Sequence, residues 1–246
     1  MNKTAIEWCD RTWNPVTGCE HGCPYCYARK IAERFKGSKA WPRGFEPMLH
    51  PDRLSEPRKL GTKWTCPESM AKGSTIFVCS MADLFGDWVP DNWINEVMLS
   101  AVGRERHTYI FLTKNPKRYL TIPGGFIGQK NFWFGTTVTN AYDYGQRVHW
   151  LQRLPSENTF ISFEPLLSDP GNIDLTGIKQ VIVGAQTNPG IIPPSEAIRS
   201  VVLAAKEAGT MVFFKDSMNT CSWPGQSTFV NVHDLAWPLQ KPMGVA

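Results

Sequence analysis

Cys19-Glu20-His21-Gly22-Cys23-Pro24-Tyr25-Cys26 sets three cysteines at spacings of x3 and x2 on one short loop. Thiolates this close in sequence suit a single centre, either an iron–sulfur cluster or a zinc ion. A four-iron cluster usually takes four thiolates, so three leave one iron open to a small molecule. That vacancy would make the loop reactive rather than structural. His21 reads as a solvent-exposed spacer, with a ligand role as its alternative. Cys9, Cys66, Cys79 and Cys221 read as small buried apolar side chains. Cys9 is the nearest of these to the triplet, and so the first alternative as a further ligand.

A second set of polar residues recurs wherever a strand pattern ends. The clusters are Cys79-Ser80-Met81-Ala82-Asp83, Thr113-Lys114-Asn115, Thr136-Thr137-Val138-Thr139-Asn140, Glu164-Pro165, Gln186-Thr187-Asn188 and Lys215-Asp216. Each alone is ordinary turn chemistry, and Asp83 and Asp216 alternatively read as helix caps. Together with the cysteine loop they describe one polar pocket at the carboxyl ends of strands. Glu164, directly before Pro165, is the strongest acid candidate. Neither a Ser/His/Asp arrangement nor a phosphate-binding loop ending in Lys-Ser/Thr is present.

The elements that must position these residues alternate in type. Strand patterns fall at Thr4–Trp8, Thr75–Cys79, Tyr109–Leu112, Phe132–Phe134, Thr159–Phe163, Val181–Val183 and Met211–Phe214. A first helix is expected from near Pro24, with Ala28, Ile31, Ala32 and Phe35 on its inner face and Gly37 as its stop. Others follow from Asn92, from the cap Asn140 with Tyr144, Val148 and Leu151 inward, and around Ile198–Ala205. Strands separated by helices imply right-handed crossovers and a parallel sheet. The expected fold is α/β, a partial (open) β/α TIM-like barrel of about six to seven parallel strands. It forms a single domain over 1–246, with a core at about 4–216. A basic surface excursion is expected at about 39–72 and a C-terminal appendage at about 217–246.

At 246 residues and 42% hydrophobic content, the chain can bury a sizeable core. Its seven cysteines are odd in number and three are crowded, which argues against a disulfide framework. No apolar run reaches the roughly 18 residues of a membrane span. The first residues lack the apolar segment of a signal peptide, so a cytoplasmic location is expected. Charge is nearly balanced, 26 basic against 22 acidic residues. Residues 29–63, however, hold ten Lys or Arg against four acids, either a solvated face or a phosphate-facing patch.

The cysteine motif, with aromatic Tyr25 just before its last cysteine, resembles the cluster-binding pattern of the radical SAM superfamily. The wider text is similar to a small family first noticed as phage-encoded proteins with this motif. The similarity runs through Ile6-Glu7-Trp8, Trp13-Asn14-Pro15-Val16-Thr17-Gly18-Cys19, Ser80-Met81-Ala82-Asp83-Leu84-Phe85, Leu112-Thr113-Lys114-Asn115-Pro116 and Ser162-Phe163-Glu164-Pro165-Leu166. The resemblance implies that Cys19, Cys23 and Cys26 hold a [4Fe-4S] cluster whose open iron chelates S-adenosylmethionine. Reductive cleavage would then yield a 5′-deoxyadenosyl radical that takes hydrogen from substrate. Tyr25, Tyr27, Ser80, Thr113, Thr137 and Glu164 are the expected cofactor-holding residues; Glu164, Lys215 and Asp216 are the expected catalytic ones.

Two rim segments depart from the common pattern of that family. Gly184-Ala185-Gln186-Thr187-Asn188 stands where many members carry Gly-Gly-Glu-Ser-Gly, and Lys215-Asp216-Ser217-Met218 where many carry Lys-Gln-Trp-Gly. Asn14, Asp83, Gln186, Asn188 and Asp216 are accordingly expected to bind a specialised substrate by paired donors and acceptors. A modified nucleobase or nucleoside is the leading expectation, specifically queuine cleaved to its 7-aminomethyl precursor in queuosine salvage. Flavodoxin or ferredoxin is the expected electron donor. The alternatives are a radical lyase or repair enzyme on DNA or RNA, and a non-catalytic zinc-stabilised nucleic-acid-binding protein.

Overall fold

A computed structural model describes residues 1–60, 73–187 and 189–218 of the protein. In chain order, its elements begin with β1 (Asn2–Lys3), β2 (Arg11–Trp13), β3 (Val16–Thr17), α1 (Tyr27–Arg34), β4 (Met48–Leu49) and α2 (Glu56–Lys59). Next come β5 (Thr75–Val78), α3 (Asp91–Ala101), β6 (Thr108–Thr113), α4 (Gly124–Ile127), β7 (Phe132–Thr137) and α5 (Ala141–Gln152). The chain continues with β8 (Thr159–Phe163), β9 (Gln180–Val183), β10 (Gln186–Thr187), β11 (Gly190–Ile191), α6 (Ser195–Ala208) and β12 (Met211–Phe214).

Eight of these strands form one sheet in the order β1-β2-β5-β6-β7-β8-β9-β12. Every neighbouring pair is parallel except β1 with β2. Strand order follows chain order throughout, without the reversal of a doubly wound sheet. Among the described residues no pairing joins β12 to β1, so the sheet is open. The fold is thus mixed α/β, built on a large and mostly parallel sheet.

Side chains alternate between the two faces with the period of two that a pleated strand imposes. Ile76, Tyr109, Phe111, Phe132, Phe134, Ile161 and Val181 enter the larger core, where α3, α5 and α6 contribute Val97, Val148 and Val201. Their neighbours Phe77, Ile110, Trp133, Phe160 and Ile182 face the other way and form a smaller cluster with Trp8 and Cys9. Both faces are therefore apolar, as expected of parallel strands. The carboxyl ends of all seven parallel strands consequently gather along one edge of the sheet.

Several local expectations are corrected. Thr4–Trp8 is not a strand; pairing uses Asn2–Lys3 and Arg11–Trp13, and Trp8 drops onto the small cluster. The helix starts at Tyr27 rather than near Pro24, because the Cys26 sulfur caps it by accepting from Arg29 N at 3.3 Å. Ile31 and Phe35 point outward, 40% and 50% exposed. The small residues Ala28 and Ala32 turn inward instead, since Trp41 and Phe45 fill the space beneath them. Tyr144 is only half-buried and holds the 174 region through its hydroxyl.

The described part of the expected surface excursion is in fact a support. β4 pairs with β3, His50 bonds Thr17 at 2.8 Å, and Trp13 Nε1 donates to the Arg53 carbonyl at 2.9 Å. The remainder of that excursion, with Cys66, and all of the expected C-terminal appendage beyond Met218, with Cys221, lie outside the described residues. Cys9 and Cys79 are buried as expected.

Gly135 lies on β7, where an added Cβ would come within 2.3 Å of the buried Phe160 ring. Gly135→Ala should therefore cost about 1–3 kcal/mol through overpacking. Urea unfolding checks this, and an unchanged midpoint would contradict the tight contact.

Candidate functional site

The cysteine loop is fixed at its base by backbone geometry. Gly18 adopts φ +89°, and an added Cβ would lie 2.2 Å from the Glu46 carbonyl oxygen. Only glycine meets both demands. Its N–H donates to Met81 O at 3.0 Å, while Cys19 N–H donates to Phe45 O at 3.3 Å. Arg29 reaches back from α1 to the Cys19 carbonyl at 2.9 Å, with its guanidinium over the Phe45 ring. Sequence, turn conformation and packing together set all three cysteines half-buried on one side of a cavity.

That cavity encloses about 520 Å³. It is lined by the three cysteines and Tyr25 from the loop and by Ser80, Thr113, Thr137, Glu164 and Lys215 from the strand ends. This size falls within the ordinary range for small-ligand sites. The apolar floor is provided by Trp8, Phe77 and Leu112, from the same sheet face as the small aromatic cluster.

Asp83 links the loop to the sheet. The residue is 5% exposed, and its carboxylate accepts from Thr113 Oγ1 at 2.6 Å, Lys114 N at 2.9 Å and Phe85 N at 3.1 Å. It also bonds His21 Nε2 at 2.6 Å. Burial alone would raise its pKa, but the bond and charge of His21 and the backbone and hydroxyl donors outweigh it, so the pKa is lowered. His21 is therefore no solvent-exposed spacer: it is half-buried, tied to Asp83, and its ring meets Trp88 edge-on at 4.8 Å.

A second polar pair faces the loop. Lys215 Nζ donates to Glu164 Oε1, and Trp8 Nε1 donates to Glu164 Oε2 at 3.4 Å. Gly184 lets the two side chains meet, since a Cβ there would stand 3.0 Å from Lys215 and 3.2 Å from Glu164. Lys114 spans to the loop from β6: its ammonium donates to Tyr25 Oη at 3.2 Å and sits over that ring.

The sulfur chemistry is uneven across the chain. Burial pushes the Cys19 thiol up to about 12, aided by Asp83 and the two other cysteines and opposed by the His21 backbone N–H. Cys9 and Cys79 are likewise raised to about 12 by burial, which keeps them neutral. Among the described residues, no three His, Cys, Asp or Glu side chains converge tightly enough to hold a single metal ion. The donor set that the loop offers is three cysteine sulfurs lining one cavity. Cys9 points its sulfur at the Ile6 carbonyl and His21 is committed to Asp83, so neither is poised to join the triplet.

Of the expected site residues, the structure gathers Cys19, Cys23, Cys26, Tyr25, Tyr27, Ser80, Asp83, Thr113, Thr137, Glu164, Gln186 and Lys215 on this cavity. Asn14 stands behind it, where its Oδ1 accepts from Met81 N at 3.0 Å and Ser80 Oγ at 3.2 Å. Asp216 is exposed and away from the lining, its N–H bonded to Glu7. Asn188 lies outside the described residues. Sequence reasoning placed Lys114 in a rim cluster and Lys30 in the basic stretch without giving either a site role, and it passed over Trp8 and Ser162 as site residues. For Lys114 and Ser162, position at a strand end was the available signal; for Trp8 and Lys30 there was none.

The chain belongs to the family described as "Protein of unknown function (DUF5131)", whose model matches residues 3–226. No curated protein matches it. Among solved structures it is similar to "Spore photoproduct lyase complexed with dinucleoside spore photoproduct", at 10% identity and a TM-score of 0.50. That alignment covers 84% of this chain and 63% of the other, and shows a shared fold.

Asp83→Ala leaves His21, Thr113 and the Lys114 N–H without their acceptor, and should cost about 3 kcal/mol at neutral pH. Because the folded pKa lies below the unfolded one, the carboxylate stabilises the fold above the ordinary carboxylate range and loses this effect as pH falls through the folded value. Urea midpoints of wild type and variant should converge below about pH 4. A gap that stays constant or widens would contradict the assignment.

Proposed function

We propose that this protein is a radical SAM enzyme acting on a modified nucleobase. The observation that carries the reading is that three cysteines spaced x3 and x2 line one cavity at the carboxyl ends of an open parallel sheet. We read that sheet as the partial barrel expected from the sequence. The similarity to a spore photoproduct lyase in complex with a dinucleoside photoproduct supports both the chemistry and the substrate class.

When bound to Cys19, Cys23 and Cys26, a four-iron cluster with S-adenosylmethionine supplies a 5′-deoxyadenosyl radical for hydrogen abstraction. The chain's own residues bind, orient and exclude water. Tyr25, braced by Lys114, and Tyr27 line the cavity together with Thr137, while the Ser80 and Thr113 hydroxyls already donate to Asn14 and Asp83 and are left as acceptors. The Glu164–Lys215 pair sets an ammonium donor beside a carboxylate acceptor on the cavity, the groups we assign to holding a proton at a substrate heteroatom. Trp8 holds the outer Glu164 oxygen in place.

In its finer form the proposal is queuine lyase, with Gln186 on the cavity wall reading the deazaguanine edge. Asn188 remains part of that version as a proposed substrate contact. An alternative substrate form is a modified base within DNA or RNA, favoured by the exposed basic residues on and after α1.

Anaerobically reconstituted protein incubated with S-adenosylmethionine, reductant and a panel of modified nucleobases should yield 5′-deoxyadenosine and a matching product by mass spectrometry. Cys23→Ala should abolish both cluster assembly and cofactor cleavage. A Cys23→Ala protein that still cleaves S-adenosylmethionine would refute the reading.

A further inference from the structure

Helix α1 carries an apolar edge that packing among the described residues leaves exposed. Tyr27, Ile31 and Phe35 recur every fourth residue and are 52%, 40% and 50% exposed. At 1.5 Å per residue this edge runs about 12 Å. Single exposed apolar side chains are ordinary, but a row of three beside a cavity marks an interaction site.

Cations flank the row. Lys30 and Arg34 lie on the same helix, and Lys36, Lys39 and Arg43 follow, all exposed. The Arg34 guanidinium sits over one face of the Phe35 ring at 5.5 Å, which keeps a cation beside the aromatic edge. The neighbouring acids are partly committed. Glu33 accepts from Phe45 N at 3.3 Å, and Glu46 faces Arg43 at 4.0 Å. Tyr27 and Lys30 belong both to this edge and to the cavity wall. The Tyr27 hydroxyl donates to Ser80 O at 2.7 Å, which pins that end of the row to the strand rim.

We propose that the exposed edge of α1 binds single-stranded nucleic acid whose modified base enters the cavity. This rests on the nucleobase reading of the cavity and specifies its substrate as a strand rather than a free base. Aromatic faces accept any base by stacking, and the lysines and arginines meet the phosphates. An acidic electron carrier matches the same cations. The row, however, runs into the cavity wall at Tyr27 and Lys30, where a strand delivers its base and a docked carrier would obstruct it.

The test uses fluorescence anisotropy of a labelled single-stranded oligonucleotide of about a dozen nucleotides, with the full chain free of cluster. Affinity should fall at least about tenfold between roughly 50 and 200 mM salt. Phe35→Ala should weaken binding about tenfold, and Lys30→Gln with Arg34→Gln should flatten the salt dependence. The unfolding midpoint should stay unchanged, because these side chains are exposed. Salt-independent binding, or variants that bind like wild type, would overturn the proposal. So would variants that keep oligonucleotide binding but lose binding of labelled flavodoxin in the same assay, which would assign the edge to the electron carrier. Because no cluster is needed, failure here leaves the radical chemistry standing, and failure of cluster assembly leaves this binding result intact.

Discussion

A buried carboxylate with its full complement of donors governs the candidate site. Asp83 sits at the end of β5 yet bonds the end of β6 through Thr113 and Lys114, and the cysteine loop through His21. An ion held this deep in protein is tolerable only when every donor is in place. The same bonds that stabilise it therefore hold the cysteine loop against the strand rim. A loop rich in glycine and turn residues would otherwise sample many positions, and three thiols would not share one wall.

The cavity's charge follows from that arrangement. Both lining carboxylates are committed, Asp83 to His21 and Glu164 to Lys215. Among the described residues Lys114 has no carboxylate partner and leans on Tyr25 instead. A cavity balanced in this way has acceptors already in use and cationic donors to spare, which suits a ligand rich in acceptor atoms such as a nucleobase or its phosphate.

Much of this was legible in the sequence because it depends on local chemistry. The period of two in the strands, the Asn140 cap that accepts from Asp143 N, and the left-handed Gly209 ending α6 all express backbone rules. The rim was legible for the same reason, since polar residues after each strand share one edge when crossovers keep one hand. What escaped were pairings set by distance in the chain. The His21–Asp83 bond joins residues 62 apart, and the outward turn of Ile31 and Phe35 depends on Trp41 and Phe45 filling the space under two alanines. Helical periodicity marks which residues share a face, but not which face a later segment will cover. Asp216 was misplaced because one residue decides direction: Lys215 faces the cavity, while its neighbour turns to solvent.

The account turns on whether the cysteine loop carries a cluster with an iron open to S-adenosylmethionine. Electron paramagnetic resonance of the reduced, anaerobically reconstituted protein, before and after adding that molecule, addresses this directly. The account predicts about four irons and four sulfides per chain, with a cluster signal that changes on addition. A protein that binds zinc in place of iron, or a cluster signal unmoved by S-adenosylmethionine, would contradict it.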